Sequence, residues 1–170
     1  MDFLQLARER YSCRKFADRP VEAEKLERIL AAGIAAPTAT NAQPYRIWVI
    51  ESPEAVEKIR ACTGCHFDTK TLLLVGGRTD AAWVRKFDGR NFADVDAAIV
   101  ATQLMLAIQA EGLGTTWVGW FDPDGVRAAF PETQGYDLIA LFPVGYPAAD
   151  AQPSPRHFER RSEEEAVARL

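Results

Sequence analysis

The sequence predicts an α+β fold in which helices surround a small central sheet. Segments with the helical spacing of apolar residues alternate with short apolar segments typical of strands, and helical residues outnumber strand residues. The longest helical segment, 92–111, carries apolar side chains on most sides, which predicts a helix buried nearly all round. No internal repeat or second apolar unit is present, so we expect residues 1–170 to form one domain.

The periodicity of the chain gives the order of the elements. Apolar residues recur with helical spacing before Pro37, which ends the second helix, and Pro53 suits the first turn of the third. Gly112 and Gly114 end the long helix, and Asp122 is placed to cap the helix that follows. The predicted elements are helices at 3–10, 21–36, 53–61, 92–111 and 123–130 and strands at 46–50, 71–75, 115–118 and 138–144.

Composition limits the partners and the compartment. The formal net charge of −4 argues against nucleic acid as a general partner, because phosphate binding needs a positive surface. The N-terminal residues carry charges where a signal peptide would be apolar, and the run 97–110 is shorter than the roughly 20 residues of a membrane span. We therefore expect a cytoplasmic protein without a membrane segment, whose three cysteines are free thiols. The long helix is covered by neighbouring helices or by a second subunit.

Two polar clusters precede the first strand. Arg10, Ser12 and Arg14 alternate along an extended segment, so that two guanidinium groups and a hydroxyl can face one anion such as a phosphate. The alternative interpretation is a solvated basic turn. Further on, Thr38, Asn41 and Gln43 lie in a loop whose side chains both donate and accept, which suits the edge of a heterocycle or a turn that satisfies its own backbone.

A third cluster follows the predicted strand 115–118. Gly119 permits a close approach of the backbone to a flat ligand, and aromatic residues beginning with Trp120 could line the rim. The simpler interpretation is a buried strand that ends in a turn before the next helix. None of the three clusters supplies an acid–base pair, so an enzyme built on them would take its reactive atom from a cofactor.

The segment Cys62-Thr-Gly-Cys65-His66 has the spacing of a covalent haem attachment, and its first four residues also suit a redox dithiol or half of a zinc site. The cysteines follow a predicted helix, whereas a thioredoxin-like dithiol precedes one. A zinc site would need a second pair of ligands, and only Cys13 and His157 remain. A metal or haem protein therefore stays a weaker alternative.

Four collinear segments resemble the FMN-dependent nitroreductase family. RYSCRKF is similar to the family's R-x-S-x-R-x-F motif, and AAPTATNAQPYRIWVI is similar to its A-P-S-x-x-N-x-Q-P-W segment. GLGTTWVGWFDPDGVRAAF is similar to G-L-G-T-x-W-x-G-x-F-D, and LFPVGYP to the strand and G-Y-P that follow. The match runs from Leu6 to about Val167, with Thr38 in place of the commoner Ser and Tyr45 in place of Trp.

The resemblance implies a nitroreductase-like fold with a mostly antiparallel sheet, and a homodimer in which an arm from about residue 147 to 170 embraces the partner subunit. It implies FMN at the subunit interface, NAD(P)H as the donor, and a planar acceptor such as a nitroaromatic compound or a quinone. Reaction would be ping-pong at the flavin N5 atom, without a catalytic side chain. The residues implied around FMN are Arg10, Tyr11, Ser12, Arg14, Pro37, Thr38, Asn41, Gln43, Val118, Gly119, Trp120 and, from the C-terminal arm, Arg160 or Arg161.

Two other functions fit the same resemblance. The fold and the flavin could support another redox reaction, such as reductive dehalogenation or oxidative dehydrogenation. The chain could also bind flavin without significant turnover. One departure bears on the phosphate site, because Phe158 stands where the family has a basic residue, two positions before Arg160. The compact chain also lacks room for extra helices over the flavin. The resemblance implies that the loop beginning at Cys62 lies away from the three polar clusters, and it leaves open whether Cys62, Cys65 and His66 approach the substrate at the uncovered face of the flavin.

Overall fold

The computed structural model describes residues 2–170 and has the predicted α+β architecture. A three-stranded antiparallel sheet is enclosed by helices on both faces. The elements are helices α1 (Phe3–Glu9), α2 (Ala23–Ile34), α3 (Pro53–Cys62), α4 (Ala93–Ala110), α5 (Pro123–Ala129) and α6 (Glu163–Ala166), and strands β1 (Tyr45–Ile50), β2 (Thr71–Gly77) and β3 (Asp137–Val144).

The central strand β2 divides the interior into two layers. All of its residues are buried, and alternate side chains point to opposite faces of the sheet. Leu73 and Val75 pack with α2 and α4, whereas Leu72 and Leu74 pack with residues of α3 and α5. The strand order is β1-β2-β3, with Tyr45 opposite Gly77 at one end of β2 and Val144 opposite Thr71 at the other. These two ends place the candidate site residues described below.

Helix α4 is the core helix, but it is not buried all round as the sequence predicted. Its inward side packs on α2 and on the sheet, and its buried residues are Ala93, Asp96, Ala97, Val100, Ala101, Leu104 and Ile108. Ile99, on the outward side, is 38% exposed. Neighbouring helices of the same chain therefore do not cover α4 completely. The helix has 18 residues and a mean hydropathy of 1.3, so by length and composition alone it could cross a membrane. Its packing is that of a core helix.

The predicted strand 115–118 is the one wrong element. This segment makes only isolated bridges, from Gly114 to Gly145 and from Val118 to Leu141 on β3, and from Thr115 to Ser12 on its outer side. Thr115, Thr116 and Val118 are buried and Trp117 is half-buried, but the segment lacks a continuous partner and continues the sheet as an irregular edge. The other predicted elements are present with shifts of a few residues at their ends, and β2 and β1 are longer than predicted.

An acid-sensitive contact joins α2 to the segment after β3. The Tyr146 hydroxyl donates a hydrogen bond of 2.6 Å to Glu22, and Arg19 pairs with the same carboxylate at 2.7 Å. The bond from Tyr146, the backbone of Glu22 and then Arg19 lower the pKa of Glu22 from about 4.5 to about 2. Because the folded pKa is the lower one, this contact stabilises the fold above pH 4.5, and the contribution is lost as the pH falls towards 2.

We expect Glu22→Gln to flatten the loss of stability between pH 4.5 and pH 2. Urea unfolding at a series of pH values measures this, with the midpoint of the variant falling less steeply than that of the natural sequence. Glu24→Gln on the same helix is the control, because its carboxylate makes no hydrogen bond within residues 2–170. Equal slopes for Glu22→Gln and the natural sequence would contradict the assignment.

Candidate functional site

Arginine side chains from both ends of the chain meet in one cavity of about 400 Å³. Its walls are formed by Arg10, Ser12, Arg14, Ser154, Arg156, His157 and Arg160. The N-terminal members are positioned by the bridge from Ser12 to Thr115, and Arg14 donates a hydrogen bond of 3.2 Å to the Ser12 carbonyl. The C-terminal members lie in a tail that the turn Pro155–His157 brings back over this segment.

Positive charge dominates this cavity. Burial, and then the nearby charge of Arg160, lower the pKa of Arg10. Within residues 2–170, none of the four arginines that line the cavity forms an ion pair with a carboxylate. Like charges gathered without a counter-charge repel one another, and a bound anion relieves that repulsion. Guanidinium groups and a hydroxyl are the donors that bind phosphate well. The cavity is therefore suited to an anion of high charge.

The sequence analysis did not decide whether Arg160 or Arg161 of the C-terminal arm reaches the phosphate site. The structure places the two side chains differently. Arg160 lines the cavity and donates a hydrogen bond of 2.7 Å to the Glu159 carbonyl. Arg161 turns away and donates to the Glu165 carbonyl at 2.8 Å.

Tyr11 lies beside Cys13, and burial, followed by this thiol, raises the pKa of the Tyr11 phenol to about 12. It stays protonated at neutral pH.

The loop after Pro37, which carries Thr38, Asn41 and Gln43, has an unusual backbone conformation at three of its residues. Thr40, Asn41 and Gln43 have φ values of 53°, 56° and 50°, which lie in the left-handed region that residues other than Gly rarely adopt. The Thr38 hydroxyl accepts the Gln43 N–H at 3.0 Å, and the Asn41 N–H donates to the Thr38 carbonyl at 3.0 Å. The side chains of Asn41 and Gln43 are exposed, and the Gln43 side-chain amide donates to the Asn41 carbonyl at 3.4 Å.

A buried carboxylate on α4 anchors this loop. Asp96 is 1% exposed, and its Oδ1 atom accepts the Ala39 N–H at 2.9 Å. Its Oδ2 atom is buried and has no hydrogen-bond partner among residues 2–170. The sequence analysis missed Asp96, whose signal was an acidic residue on the apolar side of a core helix. Its position ties the strained loop to the central helix.

We expect Asp96→Ala to cost about 1–3 kcal/mol of unfolding free energy, since the Ala39 N–H then loses its buried acceptor. Asp96→Asn should cost less, because an amide oxygen can still accept that bond. Denaturant unfolding at one protein concentration measures both variants. Asp94→Ala, an exposed acidic residue two positions earlier on the same helix, is the control. Equal stabilities of Asp96→Ala and Asp94→Ala would contradict the role of the anchor.

The third cluster lies at the edge of the sheet. Val118 is buried against Leu141, whereas Gly119 and the Trp120 side chain are exposed and border an open cavity of about 340 Å³ with Cys62. The expectation that the loop beginning at Cys62 lies away from the polar clusters is wrong. The Thr63 hydroxyl donates a hydrogen bond of 2.6 Å to the Trp120 carbonyl. Hydrogen bonds between segments 57 residues apart have no local sequence signal.

One chain does not bring the three clusters around a single ligand. The Arg10–Arg14 segment lies beside Gly114, beyond the end of the sheet marked by the pair Thr71 and Val144. The loop 38–43 leads into Tyr45 at the opposite end of β2. The two ends are roughly 20 Å apart along a seven-residue strand, and the two clusters also lie on opposite edges of the sheet. The loop 38–43 of one chain therefore has no contact with the arginine-lined cavity of the same chain.

No metal-binding group of three or more His, Cys, Asp or Glu side chains occurs in residues 2–170. Cys13 is buried, and Cys62 and Cys65 are half-buried free thiols. Burial, and then the charge of Asp122, raise the pKa of the Cys62 thiol, so it is a poor thiolate. This geometry gives no support to a zinc site or a reactive dithiol at Cys62 and Cys65.

Three residues of the arginine-lined cavity were missed by the sequence analysis. Ser154, Arg156 and His157 belong to an irregular Pro-containing segment, where no periodicity indicates which side chains face inward. The cluster of basic residues at Arg156, Arg160 and Arg161 was the available signal. Arg156 supplies a cation near the position where Phe158 departs from the family pattern.

Comparison with known proteins agrees with the fold and the motif order. The nitroreductase family model matches residues 7–71 and 66–146. A nitroreductase family protein from Clostridium difficile 630 is 37% identical, with a TM-score of 0.91 over 99% of this chain and 98% of that one. The NADH dehydrogenase of Thermus thermophilus is 29% identical over 188 residues, covering 92% of both chains.

A more distant structure extends the comparison. A protein from Exiguobacterium sibiricum, solved in complex with FMN, is 20% identical and superposes with a TM-score of 0.84 over 100% of this chain and 98% of that one. At this identity the likeness shows the fold alone. The family model covers most of the described residues and the motifs occur in the same order, so this chain belongs to the nitroreductase family.

Proposed function

We propose that this protein is an FMN-dependent oxidoreductase that takes electrons from NAD(P)H and passes them to a small planar acceptor such as a nitroaromatic compound or a quinone. The observation that carries the proposal is the arginine-lined cavity, with four guanidinium groups and no paired carboxylate within residues 2–170. The FMN phosphate is a dianion that fits this charge. The FMN bound to a structural relative and the name of the Thermus NADH dehydrogenase support the cofactor and the donor.

The proposed roles follow from position. Arg10, Ser12, Arg14 and Arg160 would bind the flavin phosphate, with Arg156 adding charge. The exposed Gly119 and the adjoining Val118 and Trp120 backbone would form one wall for the ring system. The side chains of Thr38, Asn41 and Gln43, with Pro37 and Tyr11 alongside, would complete the site. When bound, FMN supplies the hydride and electron transfer, and the protein orients the ring and the donor.

We further propose that the complete site needs two copies of the chain. The loop 38–43 and the arginine-lined cavity lie at opposite ends of the sheet, so a second subunit must supply one of them. Exposed apolar side chains on α1, α2 and α4 suit a subunit interface, with Phe3 at 66%, Ile34 at 61% and Ile99 at 38% exposure. The residues after 147 would form the arm that embraces the partner.

We propose ping-pong kinetics, because donor and acceptor would use the same open surface one after the other. The cavity beside Gly119 and Trp120 is shallow and exposed, so a donor could leave before the acceptor enters the same place. The Asp122 carboxylate borders this cavity but accepts the Asp124 N–H at 3.1 Å as a helix cap, and we propose that protons come from water. We expect such a protein to work in the cytoplasm, where NAD(P)H is supplied.

The visible spectrum of the purified protein tests the proposal. We expect a yellow protein, or one that gains a flavin spectrum when titrated with FMN, whose absorbance near 450 nm bleaches with NADH or NADPH under anaerobic conditions. A protein that binds no FMN would refute the proposed cofactor role. Bound FMN that neither nucleotide reduces would instead indicate a flavin-binding protein without turnover. Poor turnover with all nitroaromatic and quinone acceptors would favour another redox reaction on the same flavin.

A further inference from the structure

The turn that begins at Cys62 has no role in the proposed FMN site, yet it is the segment that holds the wall at Trp120. Thr63 is 7% exposed, and its hydroxyl donates to the Trp120 carbonyl at 2.6 Å while accepting the Cys65 N–H at 3.0 Å. Next to it, the Asp122 N–H donates to the Cys62 carbonyl at 2.9 Å. We call the first two bonds, both made by the Thr63 hydroxyl, the Thr63 clamp.

Few other contacts fix this stretch of backbone. A Cβ atom at Gly119 would meet nothing within 4 Å, and the Trp120 side chain is 82% exposed, so neither side chain holds the chain in place. The bridge between Val118 and Leu141 lies before the stretch, and the Asp122 bond lies after it. Between them the Thr63 clamp restrains the peptide group that follows Trp120.

A hydroxyl is required at this position for a physical reason. A buried hydroxyl that both donates and accepts satisfies two backbone groups, and an apolar replacement leaves both without partners. The freed Trp120 carbonyl would then turn towards water, and the adjoining peptide groups would turn with it. If the Gly119–Trp120 backbone contacts a ligand, this rotation of the peptide groups removes the orientation that the contact requires.

We propose that Thr63 is a positioning residue that orients the Gly119–Trp120 backbone against the flavin ring. This inference rests on the proposed function for the identity of the ligand, and on the hydrogen bonds above for the geometry. It gives the Cys62–Cys65 turn a role that depends on the threonine between the cysteines and does not depend on the thiols.

Thr63→Val, which keeps the shape and removes the hydroxyl, tests the proposal in the full-length protein loaded with FMN. We expect the rate of anaerobic flavin reduction by NADH or NADPH to fall roughly 3- to 10-fold, the effect of losing one hydrogen bond in a positioned site. The KM for the nucleotide should change less than kcat. Thr63→Ser should stay within about twofold of the natural sequence, because it restores the hydroxyl.

A second measurement does not depend on activity. Hydrogen exchange of the FMN-free protein, followed by mass spectrometry, should become faster in Thr63→Val and stay slow in Thr63→Ser at two amides: the Cys65 N–H, which the Thr63 hydroxyl accepts, and the Asp122 N–H, the hydrogen-bonded amide of the 119–122 peptide. Thr69→Val is the matched control: Thr69 is 4% exposed in the same loop, but its hydroxyl donates to the His66 carbonyl at 3.0 Å. If Thr63→Val does not fold, Thr63→Ala replaces it.

The outcomes separate this inference from the proposed function. If the natural protein binds no FMN, the proposed function fails, and the exchange measurement still decides whether the clamp orders residues 119–122. Unchanged exchange in Thr63→Val would overturn the inference even in an active flavoenzyme. It would also be overturned if Thr69→Val reproduced the loss of rate, because the effect would then be a general softening of the loop.

Discussion

Arg14→Ala should weaken FMN binding by about 1.5–3 kcal/mol, the range for a hydrogen bond to a charged group. This corresponds to a roughly 10- to 150-fold increase in the dissociation constant. Arg14 lines the arginine-lined cavity beside Ser12, and no carboxylate within residues 2–170 competes for its guanidinium group. Titration of FMN-free protein, followed by the quenching of flavin fluorescence, measures the constant. At saturating FMN the turnover should largely return, since the proposed role of Arg14 is to bind the phosphate and not the reacting ring.

Arg161→Ala is the matched control for this prediction. It also removes one guanidinium charge, but Arg161 lies in the C-terminal tail, donates to the Glu165 carbonyl and does not line the cavity. The dissociation constant of Arg161→Ala for FMN should stay within about twofold of that of the natural sequence, because salt screens most of the long-range effect of the lost charge. An unchanged affinity in Arg14→Ala, or equal losses in the two variants, would contradict the assigned role of Arg14.

Phe142→Ala should lower the unfolding free energy by about 3–5 kcal/mol, because it leaves a cavity in the middle of the core. Phe142 is fully buried on β3, opposite Leu73 on β2, and its ring meets the edge of Trp117 with centroids 5.3 Å apart. Urea unfolding of FMN-saturated protein at one protein concentration measures the loss, since bound ligand and the proposed subunit association would both change the apparent stability.

Two variants bracket the result for Phe142. Phe142→Leu keeps most of the volume and should cost about 1.5 kcal/mol or less. Phe87→Ala removes the same ring from a side chain that is 98% exposed, so its effect should lie within about 0.5 kcal/mol of zero. A Phe142→Ala variant as stable as Phe87→Ala would show that the core is not organised around this ring.

The sequence predicted correctly the elements in which the spacing of apolar residues directly indicates the buried side. The run of apolar residues in β2 is one, although the strand was predicted to end at Val75, two residues early. Glycine usually weakens a strand, so Gly76 and Gly77 give no local signal that the strand continues. In the structure a Cβ atom at Gly77 would lie 2.7 Å from the Ala93 carbonyl oxygen, so the glycine permits the close approach of α4. That approach depends on tertiary packing.

The failure at residues 115–118 has a similar origin. Thr115, Thr116 and Val118 are β-branched and buried, which is the signature of a strand. A strand also needs a continuous partner, and the topology offers this segment only spaced bridges to β3 and to Ser12. Local propensity reports the extended backbone and cannot report the pairing.

The site residues also divide into those that local sequence predicts and those that depend on tertiary structure. Arg10, Ser12 and Arg14 are close in sequence, so their shared face could be deduced from an extended segment. Their meeting with Arg156 and Arg160 depends on the path of a tail without periodicity. The separation of the loop 38–43 from this cavity follows from the strand register, which the sequence did not specify.

Under the proposed function, in which the arginine-lined cavity binds the flavin phosphate, the amount of folded protein depends on the flavin supply. A ligand that binds only the folded state adds RT ln(1 + [L]/Kd) to the stability, about 2.7 kcal/mol when the free ligand is one hundred times the dissociation constant. Here the same ligand also relieves the repulsion among the four guanidinium groups that line the cavity. The flavin-free chain is consequently the form most exposed to proteolysis, and a cell short of flavin would hold less of this protein as well as less of its activity.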